Sequence, residues 1–413
     1  MTGASWHSLH VHHHDEAAEP ALVLDAVRPA FAAVRPRVRG CWFGRHWLRG
    51  PHLRLNFLTD EAAWSRQVRP VVEGMVTDYL RVRPSTVTLD RAALAPVHER
   101  LAELEMEPGP LRPWVADNTV VERPYDHRLQ VLGSLRAGEL VADFLSDTTD
   151  LTFRMYEQLR TAPLSVLALD LMWTTAAAAA IPFEPGGAPI ERGVLSLRSH
   201  ADAFLSRTND PVAFRTRFDE RFHRQEAALS ARLREVEAAL AEPAVGGATG
   251  SDTTGSNATD SEVACVREWA RAVRRHQRLA QPLLTSGEVS MGGAALAPRM
   301  PTRQLSEFHT LLLSDHGHRD FLVDDAWFAS FRLVMNYLYL HLNRLGLAPV
   351  DRGLLCHLAA RTVESVHGTS AVDSFERYVA APDGPEEPGW RRIGAEWAEE
   401  ADRDRAGPRV SRR

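Results

Sequence analysis

Polar and apolar residues alternate near the start of the chain. Over residues 6–13, one set of alternate positions carries Ser8 and His10, and the other carries Leu9 and Val11. A period of two is typical of a strand that has one face against a core and one face outside it. The pattern therefore predicts a half-buried strand here.

Two more β-like runs, residues 41–47 and 52–58, follow a predicted helix at about 20–34. The sequence LRGP joins them, and its Gly and Pro are typical of a turn. The pair therefore predicts a β-hairpin. In its second strand, alternation places three polar side chains on one face, namely His52, Arg54 and Asn56.

Helical periodicity dominates from about residue 150. The apolar spacing predicts helices over residues 150–180, 196–207, 211–241, 261–280, 303–314, 325–346 and 350–367. A Gly-, Ser- and Thr-rich run at 244–260 predicts a flexible insertion, and 369–413 predicts a charged tail with a short helix near 390–400. The predicted fold class is α+β, in which a β-rich N-terminal region with hairpin strands packs against a largely helical remainder, in one domain over residues 1–368.

The helix predicted at 325–346 has two distinct faces. Its apolar side chains recur at helical spacing and predict a stripe against the core, formed by Phe331, Met335, Leu338, Leu342 and Leu345. On the other side, polar residues recur at intervals of four, three and four, at Arg332, Asn336, Tyr339 and Asn343. None is the Glu or Lys expected on a solvated face. Two interpretations stay open: a face directed at a substrate, and a buried hydrogen-bond network that joins this helix to the sheet.

Two other polar groups are candidates to meet that helix face. The hairpin supplies Arg45, His46, His52, Arg54 and Asn56. The loop before the helix supplies Asp315, His316, His318 and Asp320. The histidine run at 10–14 suggests metal binding, but adjacent histidines on a strand point to opposite faces, and no carboxylate–histidine helix motif accompanies them. We therefore predict no metal site.

Composition narrows the class of protein. With 413 residues, 44% hydrophobic and 25% charged, the chain is typical of a soluble globular protein. It has no run of about 18 apolar residues and no recognisable signal peptide, so we expect no membrane span and a cytoplasmic location. Cys41, Cys265 and Cys356 are far apart, which favours three buried thiols over a disulfide framework.

The chain contains no lysine, and this excludes several classes of chemistry. All 48 basic residues are arginine, so a Schiff-base lysine for pyridoxal phosphate and a P-loop lysine are both missing. No G-x-S-x-G, G-x-G-x-x-G or H-E-x-x-H motif occurs either. The net charge of −6 argues against nucleic-acid binding by the whole protein, although the arginines between 28 and 54 form a local patch suited to an acidic peptide or a phosphate.

Four segments carry a family resemblance: WHSLHVHHH at 6–14, WFGRHWLRGPHLRLNF at 42–57, YDHRLQVLGS at 125–134 and YLHLNRLG at 339–346. Together they resemble the family that contains lantibiotic-dehydratase C-terminal (glutamate-elimination) domains and the free-standing pyridine synthases of thiopeptide biosynthesis. The segments span most of residues 6–346, so the resemblance covers the predicted domain.

Three departures from the elimination domains indicate which branch the chain resembles. At the positions of their second hairpin arginine, their Arg-Tyr-Gly-Gly arginine and their helix histidine, this chain has Asn56, Val131 and Tyr339. Elimination domains use arginines and a histidine to remove glutamate from a glutamylated serine, so the resemblance implies that this reaction is disabled. The hairpin form RHWLRGPHLRLN, the helix form NYLYLHLNRLG and the segment GLLCHLAARTVE at 353–364 instead resemble the pyridine synthases.

The resemblance implies an enzyme that catalyses a formal aza-Diels–Alder (4+2) cyclisation of two dehydroalanines in a modified precursor peptide. One dehydroalanine and its preceding amide become a 2-azadiene, and the second dehydroalanine is the dienophile. Loss of water and of the leader peptide then leaves the central pyridine of a macrocycle. The implied partners are the leader and dehydrated core of the precursor and the dehydratase subunits of the same pathway, with no organic cofactor, metal, nucleic acid or membrane.

Site roles follow from the same resemblance and from the helix pattern. We expect catalytic groups on and beside the polar helix face, at Tyr339, Tyr337, His341, Arg332, Asn336 and Asn343. We expect substrate binding by the hairpin, at Arg45, His52, Arg54 and Asn56. Two other functions stay open, an elimination lyase acting on a glutamylated Ser or Thr and a non-catalytic peptide-binding scaffold.

Overall fold

The computed structural model describes residues 3–179, 189–241, 258–290, 306–313, 326–368 and 370–373. The chain divides into two compact units: the first comprises residues 1–161 and 343–346, and the second comprises 162–342 and 347–413. A small antiparallel sheet lies in the first unit, and the described part of the second unit is helical. The predicted α+β class is therefore confirmed.

Four strands form the sheet of the first unit, namely β1 (Ser5–His12), β2 (Gly40–His46), β3 (His52–Thr59) and β4 (Thr119–Pro124). Their order is β2-β3-β1-β4, and every neighbouring pair is antiparallel. The first strand and the hairpin are confirmed, whereas β4 is an addition to the predicted strands. At the hairpin turn, Arg49 and Gly50 have φ angles of 62° and 110°, a region that glycine adopts at little cost.

The helices of the first unit are α1 (Glu19–Leu22), α2 (Arg28–Val34), α3 (Glu61–Ala63), α4 (Arg69–Val82), α5 (Arg91–Glu105), α6 (Leu129–Leu132), α7 (Leu135–Asp147) and α8 (Thr149–Gln158). One π-helical segment, Val23–Val27, continues α1 into α2, and a second, Trp64–Val68, continues α3 into α4. Side-chain caps start several helices, since Asp90 and Ser134 accept hydrogen bonds from backbone N–H groups of α5 and α7.

The core of the first unit lies against one face of the sheet. Phe43 and Phe57 point from that face and are fully buried. The ring of Phe31 on α2 meets both of them edge-on, with centroids 6.3 and 5.0 Å away, and also meets Phe153 on α8 at 5.9 Å. Each such side chain contributes about 1.5–3 kcal/mol relative to its exposed state. This packing fixes which face of the sheet is left for polar groups.

The helices of the second unit are α9 (Leu164–Ala179), α10 (Pro189–Leu205), α11 (Pro211–Ala241), α12 (Ala258–Thr285), α13 (Glu307–Leu313), α14 (Ala326–Arg344) and α15 (Pro349–His367). The single helix predicted over 150–180 is wrong in one respect, because it is two helices, α8 and α9. Pro163 lies between them, and a proline lacks the N–H that a continuous helix needs.

Helix α9 is the central helix of the second unit. It is apolar on all sides and packs against α10, α11, α12 and α15. Two of its buried polar side chains accept from other helices: Asp170 accepts two hydrogen bonds from Arg232, at 2.9 and 2.7 Å, and Thr175 accepts one from the indole of Trp269 at 2.8 Å. The buried hydroxyl of Thr174 has no hydrogen-bond partner within the described residues. Donors from other helices therefore satisfy Asp170 and Thr175 in this apolar environment.

Other sequence predictions have these outcomes. Cys41, Cys265 and Cys356 are buried thiols, as predicted. The predicted insertion at 244–260 lies outside the described residues except for 258–260, which begin α12, and of the predicted tail only 370–373 are described. Among the described helices, none is both long enough and apolar enough to span a bilayer.

Candidate active site

The second face of the sheet is polar, and strand register arranges its side chains in rows. One row runs across three strands through His46, His52 and His12. The next contains Arg54 and His10, and the one after it contains Trp42, Asn56 and Ser8. The prediction that His52, Arg54 and Asn56 share a face is confirmed.

Three histidines on this polar face surround His52. Its ring centroid lies 4.7 Å from that of His10, 4.6 Å from that of His12 and 5.5 Å from that of His46. Burial, assisted by neighbouring positive groups, lowers the pKa of His10 to about 2, of His12 to about 4 and of His52 to about 3, and it also lowers the pKa of His46. All four rings are therefore neutral at pH 7 and offer hydrogen bonds instead of charge.

Arg54 brings a positive charge to the same face. Its Nη1 donates to Asp126 Oδ2 at 3.1 Å, and its Nε lies 3.5 Å from Nε2 of His52. The Nδ1 of His52 lies 2.8 Å from the carbonyl oxygen of Gly50, so Nδ1 carries the hydrogen and Nε2 is the acceptor. Burial lowers the pKa of Arg54, and the Asp126 carboxylate opposes that shift.

Several buried atoms near this face lack a hydrogen-bond partner within the described residues. They are the Oγ of Ser8, the Nδ1 of His12 and the Nε2 of His14, whose residues are 2%, 1% and 4% exposed. An unsatisfied buried polar group costs about 1–3 kcal/mol. Such a cluster is typical of a place where ordered water or a bound polar chain completes the hydrogen bonding.

Arg45 lies on the opposite face of β2 from His46. Its Nε donates to Glu19 Oε2 at 2.8 Å, and its Nη1 lies 3.0 Å from the position that a Cβ on Gly346 would occupy. Glu19 also accepts from the hydroxyl of Tyr156 at 3.3 Å. Three of the four predicted binding residues thus share one surface, and the fourth belongs to a half-buried ion pair.

The predicted basic patch at 28–54 is mostly neutralised within the first unit. Arg28 pairs with Glu157 at 2.7 Å, and Arg45 and Arg54 pair with the carboxylates described above. Arg39 is exposed and has no ion pair among the described residues, as is also true of Arg66 on the neighbouring helix. Those two arginines, together with the exposed Arg37, supply accessible positive charge in this region.

The polar face of α14 is partly exposed. Asn336 and Asn343 are exposed, and Arg332 is half-buried with its pKa lowered by burial. Tyr339 is only 9% exposed, and its hydroxyl oxygen lies 3.6 Å from the sulfur of Cys356 on α15. The predicted apolar stripe is buried throughout, at Phe331, Met335, Leu338, Leu342 and Leu345.

Tyr337 and His341 lie on the buried side of α14. His341 is 0% exposed, and its ring centroid is 4.4 Å from that of Trp269. Tyr337 is 1% exposed and meets His276 edge-on at 6.5 Å. Both contacts are with residues of α12. These two predicted residues therefore pack against that helix and do not lie on the surface that carries Asn336.

Three residues that the sequence patterns did not single out surround Tyr339. The ring of His200 on α10 meets the Tyr339 ring edge-on, with centroids 4.8 Å apart. The guanidinium carbon of Arg352 lies 4.8 Å from the centre of the same ring, and Cys356 contacts its hydroxyl. Burial raises the pKa of Tyr339 well above its ordinary value, so this phenol stays protonated. Arg352 and Cys356 are four residues apart on α15, but no spacing rule links them to His200 on α10 or to Tyr339 on α14.

Arg344, within the YLHLNRLG segment, is a buried structural residue. Its guanidinium donates to the carbonyl of Leu145 at 3.0 Å and to Thr149 Oγ1 at 2.8 Å, and it lies 4.3 Å from the centre of the Phe43 ring. Its own carbonyl accepts from the Tyr156 hydroxyl at 2.7 Å. Burial lowers its pKa to about 9, so it remains charged at pH 7.

Two other predictions concern groups of ligating or polar side chains. Asp315, His316, His318 and Asp320 lie outside the described residues. Within the described residues, no group of three or more His, Cys, Asp or Glu side chains has an arrangement that could hold a metal ion.

The sequence profile of one protein family matches almost the whole chain. This family, described as lantibiotic biosynthesis dehydratase C-term, matches residues 6–363. None of the curated proteins matches the chain at a significant level.

Several solved structures are similar to this chain. One, described as pyridine synthase TbtD from thiomuracin biosynthesis, is 36% identical over 88% of this chain and 99% of that chain, with a TM-score of 0.68. The crystal structure of TsrL is 19% identical over 90% and 98% of the two chains, with a TM-score of 0.62. The tRNA-dependent lantibiotic dehydratase MibB from Microbispora sp. 107891 is 14% identical over 89% of this chain and 29% of that chain, with a TM-score of 0.51. The last two likenesses support the fold alone.

Proposed function

The chain belongs to the lantibiotic biosynthesis dehydratase C-terminal family, and from this premise we infer that it is a pyridine synthase of thiopeptide biosynthesis. The observation that carries this conclusion is the 36% identity to a pyridine synthase, which extends over 99% of that protein. The enzyme forms a pyridine by cyclisation within a modified peptide.

The side chains at three positions support this branch of the family over the elimination lyase. Asn56 is 2% exposed, and its amide donates to the carbonyl of Arg54 at 3.3 Å. Val131 is 42% exposed on the short helix α6, and Tyr339 is buried beside Cys356. An amide, an alkyl group and an un-ionised phenol cannot supply the positive charge that two arginines would bring to a departing glutamate.

The substrate is a peptide, and we propose that its recognised parts are a leader and a core carrying two dehydroalanines. We place leader binding on the exposed arginine surface around Arg39 and Arg66, because leaders of this kind are often acidic. We place the core against the polar sheet face, where Arg54 and Asn56 offer donors to carbonyl oxygens and Nε2 of His52 offers an acceptor to an N–H group. The dehydratase subunits of the same pathway would supply the dehydrated peptide, in the cytoplasm.

Ring closure needs two distant dehydroalanines in one geometry, and it needs proton transfer. Holding two reacting groups in near-attack positions is worth about 7–11 kcal/mol in well-oriented model systems. We propose that Tyr339 donates to the amide oxygen that becomes the iminol, because its raised pKa keeps it protonated. Arg332, Asn336 and Asn343 orient dipoles along the same helix face, while Tyr337 and His341 support that helix from its buried side.

Incubation of the purified protein with a synthetic precursor that carries the leader and two dehydroalanines tests this function. Mass spectrometry is expected to show a macrocycle containing one pyridine, together with the leader released as an amide. Loss of glutamate from a glutamylated peptide would instead identify an elimination lyase. Binding of the precursor without any conversion would identify a scaffold.

A further inference from the structure

His200 is a neutral imidazole with one fixed hydrogen. On α10, its Nδ1 lies 2.7 Å from the carbonyl oxygen of Ser196 and 3.4 Å from the hydroxyl of the same residue. A carbonyl oxygen only accepts, so Nδ1 carries the hydrogen and the lone pair of the ring is on Nε2. Both hydrogen bonds that His200 makes within the described residues use Nδ1, and the residue is half-buried. The hydrogen bond from Nδ1 therefore fixes the ring and leaves the lone pair of Nε2 in one orientation.

The surroundings of His200 are those of the proposed reaction site. The ring of Tyr339 on α14 lies 4.8 Å from that of His200, and the guanidinium of Arg352 on α15 lies 4.8 Å from the centre of the Tyr339 ring. Burial, together with Arg352, His309 and Arg332, lowers the pKa of His200 to about 4, while its bond to Ser196 opposes the shift. The ring is thus unprotonated at pH 7, and nearby guanidinium groups favour negative charge that develops on a substrate.

We propose that His200 is the catalytic base that removes a carbon-bound proton from the cyclic adduct, after that adduct has lost water, when the leader amide departs. This assignment rests on the proposed pyridine synthase function. The Nε2 lone pair takes one proton from the ring CH₂ that came from the dienophile dehydroalanine, and the C–H electron pair becomes a ring double bond. The bond from the adjacent ring carbon to the leader nitrogen breaks, and its electron pair stays on that nitrogen. The imidazolium returns the proton to the nitrogen, which leaves the leader amide, the pyridine and neutral His200.

The fixed tautomer explains why His200 suits this step and not the earlier one. Formation of the iminol moves a proton from an amide nitrogen to its oxygen, which requires a donor and an acceptor at once. His200 offers a single lone pair, since Nδ1–H is occupied by Ser196. Departure of the leader amide needs one proton to be taken from the ring CH₂ and then returned to the nitrogen that leaves the neighbouring ring carbon, two successive transfers that a single nitrogen can make.

His200→Asn tests the assignment, because the asparagine amide retains a donor near the Nδ1 position and removes Nε2. We expect release of the leader amide to slow by roughly 10²- to 10⁴-fold, as for other general bases. Quenched single-turnover reactions analysed by mass spectrometry should then accumulate a cyclised species that still bears the leader. His309→Asn is the matched control, since both ring nitrogens of His309 are already bonded to serines, Ser199 at 3.0 Å and Ser306 at 2.8 Å.

Different results would overturn the assignment. Release of the leader by His200→Asn at the wild-type rate would exclude His200 as the base, and accumulation of linear peptide would place its action before ring closure. If His200→Asn folds poorly, His200→Ala is assayed with added imidazole, whose restoration of leader release supports the proposal and whose lack of effect opposes it. Failure of the wild-type protein to form any pyridine would contradict the proposed function itself and not this assignment.

Discussion

The hydroxyl oxygen of Tyr339 lies 3.6 Å from the sulfur of Cys356, so the phenol of the polar helix face is directed at a neighbouring helix. Burial raises the pKa of both groups, that of Cys356 to about 11. Neither ionises near neutral pH. The pair can therefore donate protons through hydrogen bonds, but it cannot provide a nucleophilic thiolate.

We expect Tyr339→Phe to slow ring formation by roughly 10²- to 10⁴-fold and to leave leader binding nearly unchanged. The change removes one hydroxyl and preserves the volume of a buried ring. Mass spectrometry of a dehydrated precursor should show unreacted linear peptide in place of the macrocycle and the released leader amide.

Tyr337→Phe is the control for Tyr339→Phe, because two residues along a helix correspond to a rotation of about 200°. Wild-type turnover by Tyr339→Phe together with an inactive Tyr337→Phe would place catalysis on the other side of α14. Activity in both variants would indicate that positioning alone accelerates the reaction.

Leader affinity should decrease with salt. Between about 50 and 500 mM salt the screening length falls from more than 10 Å to under about 5 Å, which weakens attraction between exposed arginines and an acidic leader. Fluorescence anisotropy with a labelled leader measures this. Arg39→Gln and Arg66→Gln should each weaken binding at low salt. Arg28→Gln should not, because Arg28 already pairs with Glu157. An affinity that is independent of salt would exclude electrostatic capture.

Arg232→Ala should lower the free energy of unfolding by about 3 kcal/mol or more, because it leaves the Asp170 carboxylate buried without its two hydrogen bonds. Urea denaturation monitored by circular dichroism gives this value. Arg234→Ala, at an exposed position of the same helix, is expected to change the free energy by less than about 0.5 kcal/mol. Equal effects of the two variants would show that the buried pair is not a stabilising contact.

The fold should lose stability in acid before its carboxylates are protonated. The pKa values of His12, His200 and His357 are lowered by burial to about 4 in the folded chain, against about 6.5 when unfolded. Between these values the unfolded chain binds more protons, so the free energy of unfolding falls as the pH decreases from about 6.5 to 4, by up to about 1.4 kcal/mol per histidine and pH unit. Urea midpoints measured across this range test the sign, and His12→Asn should make the slope shallower. A midpoint that stays constant down to pH 4.5 would contradict the argument.

Local patterns predicted much of the fold. Alternation over residues 6–13 and 52–58 identified both strands and the polar side of β3, since side-chain direction in a strand depends only on position. The sequence of β4, TVVERP, has two adjacent valines and then charged residues, so it lacks that alternation. Helix α4 was not predicted, although its sequence carries a helical pattern: Val72, Val76 and Leu80 recur every four residues and are all buried.

The site was harder to predict than the fold, because its key contacts join distant parts of the chain. Arg54 meets Asp126 across 72 positions, and nothing in either local sequence indicates that pairing. His200 and Tyr339 are likewise brought together only by the packing of their helices. Helical spacing correctly grouped Arg332 and Asn336 with Tyr339, but it could not tell which of them is buried.

The uninterrupted alternation of β3 also disfavours any shift in the register of the sheet during folding. If β3 paired with β1 one residue out of step, Leu53, Leu55 and Phe57 would turn outward, and His52, Arg54 and Asn56 would enter the aromatic core. Each displaced apolar side chain would lose about 1.5–3 kcal/mol of burial free energy. The guanidinium of Arg54 would be buried among phenylalanine rings, which is unfavourable for a charged group. A molecule with this shifted register is therefore too unstable to persist. The residues that we assign to peptide binding thus also specify the register in which β3 pairs with β1.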